Sequence, residues 1–473
     1  MPATCGQATE PISDWAQRNF GACDLGDKRR NRRLIEIAEQ MSTNPSASLP
    51  VQLPKWSDLK AAYRLFDCDQ ATLASIARPH WQLTREIASQ RNRVLVIGDT
   101  TELDFGRMRT ISGIGPTGNG TGQGFLLHNA MMVDADNEEI LGMAGQTIHL
   151  RKRKTKGAKR ENASQRLKRV RESQVWGTVI DDIGKPANDV QYIHVFDRGA
   201  DNFEVYCHLL DQRGDWLIRA GKLSRWVLAG DDDQQIKLKD YLPQMKTLGQ
   251  YDLELRARPK QKARTATLEV RTGRVKIPRP KHVSPWVRKR KQEPIATNVI
   301  EVVETNPPKG TKPIRWVLLT SLPVSSWAKV WELVGFYEQR WLIEEYHKAL
   351  KTGCNTESHQ LKTKDRLEAL VGVTSVVALR LLQLKSIART NPQRKARGIV
   401  PAVWLRMLKL AGKLSNVSDL TIGQFYREVA KLGGFLARKG DGEPGWITIW
   451  RGWEKLNLFV QLATQLEKQD KCG

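Results

Sequence analysis

Within FYEQRWLIEEYHKALKTG, residues 336–353, a phenol, two permanent cations and a carboxylate recur as Tyr337, Arg340, Glu344 and Lys351. If this run is one helix, a turn of roughly 100° per residue puts the four side chains within about 60° of one another. Opposite charges repeated on a face that a core would keep apolar fit a site that handles a metal and a phosphate together. The stripe fits equally a solvated face laced with ion pairs, such as Glu344 with Lys348 at i, i+4. Taken alone it leaves both readings open.

Two more carboxylates stand where apolar, strand-like runs end. Asp99 follows VLVIG and Asp197 follows YIHVF, and ligands of open α/β sheets bind at the edge where strands end. One such Asp is as often a turn former or a helix cap. Two of them with Glu344 make a three-carboxylate set able to hold two Mg²⁺ ions about 3.5–4 Å apart, one activating water or a 3′-hydroxyl and the other stabilising the leaving oxygen. That is the equipment of phosphodiester chemistry. Thr100 and Thr101 either orient Asp99 or cap a following turn, and Asp201 reads as an extra metal ligand or, more readily, as a helix cap before NFEVY. His194 reads as a core histidine and His347 as a surface one, since Mg²⁺ prefers oxygen ligands.

The elements that must position these groups can be read from periodicity. Residues 14–90 form helices without strands. Lys28, Arg29, Arg30, Arg32 and Arg33 crowd the first turns of DKRRNRRLIEIAEQM, where cations oppose the helix dipole. Phosphate contact explains them, and so does a solvated basic turn. VLVIG, GFLLHNAMMVDA and EEILGMAGQTIHL read as three strands, followed by a helix over 164–183, the strand YIHVF, the helix NFEVYCHLLDQ and the strand DWLIRAG. This order gives an α/β layer with a mixed sheet. Residues from about 222 to 325 alternate in period two and read as an antiparallel β insertion before the helix bearing Glu344. The rest is helical. The basic stretches 151–160 and 288–291 read either as non-specific phosphate contacts or as solvated loops.

Composition narrows the partner. The 473 residues include 76 Lys and Arg against 51 Asp and Glu, a net charge of +25 with a pI near 9.9. Such an excess favours a polyanion, because each neutralised phosphate releases condensed counterions. The best apolar helix, LEALVGVTSVVALRLLQL, is interrupted by Glu368 and Arg380 and reads as buried, so no membrane partner is expected. Six cysteines at Cys5, Cys23, Cys68, Cys207, Cys354 and Cys472 form no CxxC pair, and no basic-then-apolar leader is visible. A cytoplasmic chain with reduced thiols is expected. The histidines lack zinc spacing, which leaves a catalytic metal to carboxylates.

The order of Asp99 on a first strand, Asp197 on a fourth and Glu344 on a later helix, set in GDTTELDF, VFDRGADNFEVY and Tyr337-x2-Arg340-x3-Glu344-x6-Lys351, resembles the DDE transposases. Within them it is similar to the insertion-sequence-four family, as are NPPKGTKPIRWVLLTS, LGGFLARK and WRGWE. The resemblance implies a ribonuclease-H-like mixed sheet over residues 76–370 with the β insertion. An all-α end-binding domain at 1–75 and an all-α dimerisation domain at 371–473 would flank it. It further implies that Asp99, Asp197 and Glu344 hold two Mg²⁺ ions, with Mn²⁺ able to substitute, and that Tyr337, Arg340 and Lys351 hold a phosphate of the non-transferred strand. Lys348, about 20° from Tyr337 in projection, joins that set. Trp316 matches a position where an indole stacks on a flipped base, and Arg219 a DNA-contacting arginine; without the resemblance they read as a core Trp and a solvated strand end. The implied activity is cut-and-paste transposition through a hairpin. Its partners are double-stranded DNA, both end repeats and target, with a homodimer in the synaptic complex. The implied setting is a bacterial cytoplasm, nucleoid-associated when DNA-bound. A ribonuclease-H-like nuclease and a non-cleaving DNA-binding regulator are the rival readings.

Overall fold

A computed structural model describes residues 10–118, 120–152, 162, 165, 171–255, 263–290, 292–397, 400, 402–412 and 419–469. Of the basic loop 151–160, only Arg151 and Lys152 fall among these, and Cys5, Cys472 and Lys291 lie outside them.

Among the described residues, twelve strands form one mixed sheet: β1 (Arg93–Asp104), β2 (Gly115–Thr117), β3 (Gly122–Asp134), β4 (Ile140–His149), β5 (Gln191–Phe196), β6 (Asp215–Arg219), β7 (Trp226–Ala229), β8 (Gln234–Lys237), β9 (Lys246–Leu255), β10 (Arg264–Ile277), β11 (Ile295–Glu304) and β12 (Arg315–Thr320). The order is β2-β3-β1-β5-β6-β12-β11-β10-β7-β8, with β4 also on β3 and β9 also on β10. β1 pairs antiparallel with β3 and parallel with β5, and β5 pairs parallel with β6. The expected insertion is therefore no separate layer. Its last strand, β12, pairs antiparallel with β6 and so extends the central sheet. The short strand β2 was not among the strands read from periodicity.

Side-chain parity decides what each face carries, since alternate residues of a strand point to opposite sides. Leu95 and Ile97 of β1 and Ile193 and Val195 of β5 join a core that includes Ile343 and Tyr346. Val94 and Val96 join another with Val179 and Ile183. Asp99 and Asp197 share the parity of the first group, the side on which the helix Trp341–Lys348 packs against β1.

The helices at Ile12–Phe20, Lys28–Thr43, Trp56–Phe66 and Leu73–Ala88 match the helical reading of the first 90 residues. The last crosses residue 75, and the helix Lys364–Thr390 crosses residue 370, so neither expected boundary coincides with the end of an element. That long helix packs on the helices of the first 90 residues, and its apolar stretch is 89% buried inside the protein. N- and C-terminal helices thus share one continuous core with a face of the sheet.

Burial keeps the imidazoles of His80, His128 and His194 neutral down to about 3, against an ordinary value of 6.5. Between those values the unfolded chain binds more protons than the folded one, so stability is lost as pH falls below the ordinary histidine value, by at most about 1.4 kcal/mol per pH unit for each histidine. Asp99, pushed up to about 6 mainly by burial, works in the opposite direction but is one group against three. The urea midpoint should therefore be lower at about pH 5 than at about pH 7; a midpoint that is flat or rises on acidification would contradict this.

Candidate active site

The parallel register pairs Gly98 of β1 with Phe196 of β5. The next residues, Asp99 and Asp197, therefore stand side by side at the same level, strands of a sheet being about 4.8 Å apart; Asp197 lies just past the end of β5, but Asp99 lies inside β1 and not at the strand end expected of it. A Cβ at Gly98 would meet Phe196 Cε1 at 2.6 Å and Trp176 Cζ3 at 3.3 Å, so glycine is what allows the two strands and the Trp176 ring to close up there. β1 does not turn after Asp99 but runs on to Asp104, which excludes a turn-capping role for Thr100 and Thr101. Thr100 orients the acid instead: its backbone N–H donates to Asp99 Oδ1 at 2.7 Å. Asp197 caps the short turn Arg198–Ala200, accepting from the Gly199 N–H at 2.7 Å.

The stripe from Tyr337 to Lys351 is not one helix. The helix Trp327–Glu338 stops, the chain restarts as Trp341–Lys348, and residues Ala349–Gly353 form a π turn closed by Cys354 N–H to Ala349 O at 2.8 Å. Tertiary contact nevertheless gathers most of the set. Arg340 Nη2 lies 2.6 Å from Glu344 Oε1 and Arg340 Nη1 3.6 Å from Asp99 Oδ2, while its guanidinium carbon is 5.9 Å from the centre of the Tyr337 ring. Burial pushes the Tyr337 hydroxyl up, Arg340 and Arg219 pull it back, and Asp197 adds to the rise. Lys351 reaches Glu357 Oε1 at 3.5 Å, and the same oxygen accepts from Asp104 N–H at 2.8 Å. Lys348 departs from its expected place: the restart at Trp341 breaks the projection, and its ammonium lies 5.2 Å from the centre of the exposed Trp341 ring.

Glu344 and Glu345 have different tasks. Glu345 is buried and pairs with Lys385 at 2.6 Å, whose ammonium burial depresses to about 8. Glu344 turns to Arg340 and the strand ends. Arg219 and Trp316 lie on that same face, Arg219 by the parity of Leu217 and Trp316 by packing on the shared core. β1, β5, β6 and β12 thus present Asp99, Asp197, Arg219 and Trp316 in succession.

Asp99 is pushed up to about 6, by burial first and then by Asp197 and Glu344, with the Thr100 N–H and Arg340 opposing. Three carboxylates crowd a partly desolvated place that one guanidinium compensates incompletely, a donor set that suits a hard divalent cation. Among the described residues no three such groups are gathered tightly enough to form a ready-made metal site, and Glu344 is paired with Arg340.

Several sequence expectations are corrected. His347 is half-buried rather than on the surface, with Nε2 3.1 Å from Asn129 Nδ2. Asp201 is neither ligand nor helix cap: Asn202 caps the helix Phe203–Asp211, and Asp201 accepts from Tyr206 OH at 2.9 Å and Gly221 N–H at 2.6 Å while pairing with Arg225 at 2.7 Å. His194 is buried as expected. Among the N-terminal cations Arg29 is mostly solvated, Arg30 donates to Leu25 O and Gln70 Oε1, and Arg33 pairs with Asp58 at 2.9 Å and Glu36 at 2.8 Å. Intramolecular partners account for much of that basic turn. Arg290 likewise stacks on Trp286 and pairs with Asp211, leaving Arg288 and Lys289 exposed. Asn129 went unread, although a buried amide inside the apolar run GFLLHNAMMV was a visible signal.

Comparison with known families decides the class. Residues 12–71 match the model described as transposase DNA-binding, residues 164–379 the transposase DDE domain, and residues 376–472 the transposase Tn5 dimerisation domain. The chain is a DDE transposase. The match brings with it a ribonuclease-H-like fold, dependence on a divalent metal, DNA binding and dimer formation. Asp197 and Glu344 of the transposase fall inside the DDE segment, and Asp99 precedes it.

The two neighbouring glutamates give a direct test. Glu345→Gln should lower stability by about 1–3 kcal/mol by weakening the buried pair with Lys385, read as a drop in urea midpoint. Glu344→Gln should leave the midpoint close to wild type. A larger loss for Glu344→Gln would place the structural carboxylate at the wrong position.

Proposed function

We propose that this transposase is a cut-and-paste enzyme of the Tyr-Arg-Glu-Lys type, acting on the terminal inverted repeats of its own element, with Asp99, Asp197 and Glu344 as its acidic triad. The observation that carries the reading is the shared level of Asp99 and Asp197 on β1 and β5, with Arg340 bridging Asp99 to Glu344. These three carboxylates would hold two Mg²⁺ ions, with Mn²⁺ as a substitute, and such a pair, when bound, supplies activation of water or a 3′-hydroxyl and stabilisation of the leaving oxygen.

The chain's own groups do the holding. Arg340, at the gap between the two helices, and Lys351, on the π turn, present cations toward the strand ends, and Tyr337 adds a hydroxyl. Together they fit a phosphate clamp on the strand that is not transferred. Arg219 extends that clamp along β6. Trp316 offers a face on which an extruded base could stack for about 1–3 kcal/mol, relieving the duplex as a hairpin forms. Hydrolysis at the element's end, hairpin formation, hairpin opening and attack on target DNA are all phosphoryl transfers at one position. The helices of residues 12–71, with Arg29 and Arg30, would read the end repeat. The exposed Leu458, Phe459 and Leu462 of the helix Trp446–Gln469 would face a second protomer in the synaptic complex. A cytoplasmic, nucleoid-associated location goes with this substrate.

Purified protein with Mg²⁺ and end-bearing DNA should yield nicked, hairpin and target-joined products. Linear products without hairpin or joining would favour a ribonuclease-H-like nuclease instead. Asp99→Ala, Asp197→Ala and Glu344→Ala should each cut at least about 10³-fold more slowly with end binding retained, since each removes a metal-holding carboxylate. Wild-type-like cutting by any of the three would overturn the triad.

Arg340→Ala and Lys351→Ala should depress hairpin formation and end-complex lifetime more than first-strand nicking, followed by gel analysis of the three products. Equal loss at all steps would make them structural.

A further inference from the structure

We infer that Asn129 is a positioning residue for the reaction, fixing His347 as an unprotonated acceptor at Nε2 and thereby holding the Glu344 helix against Asp99. This rests on the role proposed for Glu344. The β1–β3 register sets Asn129 directly opposite Asp99, and residues opposed in an antiparallel pair project to the same face. Asn129 is fully buried and its amide is spent entirely inside the protein. Its Nδ2 donates to Leu127 O at 3.1 Å and meets His347 Nε2 at 3.1 Å, and its Oδ1 accepts from Gln146 Nε2 at 2.7 Å.

The direction of this chain is set at its far end. Trp81 on the helix Leu73–Ala88 has an indole N–H, which can only donate, and it meets Gln146 Oε1 at 3.3 Å. Gln146 must therefore turn its oxygen to Trp81 and its amide nitrogen to Asn129 Oδ1, and also to Tyr346 OH at 3.2 Å. Asn129 must in turn present Nδ2 to His347. An N–H can donate only to a ring nitrogen without a proton, so Nε2 is bare and the ring proton sits on Nδ1. His347 is three residues from Glu344, on the same side of a short helix. Burial, with Lys351 and Arg340 nearby, disfavours its protonated form as well. A neutral ring there adds no third positive charge beside Arg340 and Lys351, and its bond to β3 fixes how the helix sits over the strand ends.

The test uses full-length protein. A long-range ¹H–¹⁵N correlation without divalent cation, assigned through His347→Gln, should show Nε2 unprotonated in wild type. In Asn129→Asp, which keeps the shape but can only accept, the bond survives only if Nε2 takes the proton, so its ¹⁵N shift should move to the protonated range. Asn129→Leu should raise the Mg²⁺ concentration for half-maximal cleavage about 10-fold, as loss of an outer-sphere partner does, with affinity for end DNA unchanged. Trp81→Phe removes a buried hydrogen bond, but Leu127 O still accepts only from Asn129 Nδ2 and so keeps that nitrogen on His347; it should destabilise the fold yet keep that Mg²⁺ value near wild type. A protonated Nε2 in wild type, an unmoved shift in Asn129→Asp, or equal Mg²⁺ effects in the Leu and Phe variants would overturn the inference. Cleavage by Glu344→Ala would instead overturn the triad and leave the ring measurement standing.

Discussion

The pairing of β1 with β5 in parallel, Gly98 against Phe196, is the constraint from which the site follows. One step further along each strand the chain presents a carboxylate, and parity turns both to the face that Ile343 and Tyr346 cover. A one-residue slip would send one acid to the opposite face, because side chains alternate along a strand. The register is protected by packing: Gly98 has no space for a Cβ beside Phe196 and Trp176, whose rings meet edge to face at 4.9 Å. An apolar contact on the far side of the sheet thus aligns the charged groups on the near side.

Aligning the carboxylates has an electrostatic cost that the surrounding chain offsets in part. Asp99 is desolvated and faces Asp197 and Glu344, which is why its acidity is weakened to about 6. Arg340 offsets this by reaching Glu344 and Asp99 at once, and the gap in the helix at residues 339–340 lets it do so. A guanidinium is also the group best shaped to meet a phosphate, so under the proposed function the group that balances the site in the protein is the one a DNA strand would recruit.

Much of this was legible in the sequence, for identifiable reasons. The runs VLVIG and YIHVF before Asp99 and Asp197 are β-branched and form strands as read, although β1 continues past Asp99 to Asp104 because β3 pairs with it that far. What failed was the assumption of one straight helix. The break after Glu338 and the π turn at Ala349–Gly353 depend on tertiary contacts, including Leu350 O accepting from Thr356 Oγ1 at 2.7 Å, and no local propensity announces them. Lys348 was misplaced for that reason. His347 and Asp201 were misread because their partners, Asn129 and Arg225, come from distant segments. The basic N-terminal turn looked unpaired in sequence because Asp58 and Gln70 arrive from elsewhere in the chain.

The insertion also acquires a mechanical meaning. An independent β layer could shift relative to the acids, but β12 is hydrogen-bonded to β6, and β6 to β5, so Trp316 and Arg219 stand on the same frame as Asp197. Distances along such a ladder are set by strand spacing and change little without breaking backbone hydrogen bonds. The helix pair and π turn carrying Tyr337, Arg340, Glu344 and Lys351 are instead interrupted at residues 339–340, outside any such ladder. The site is therefore divided between a helical side whose backbone bonding is interrupted and a sheet that keeps the acids, the arginine and the indole in fixed order.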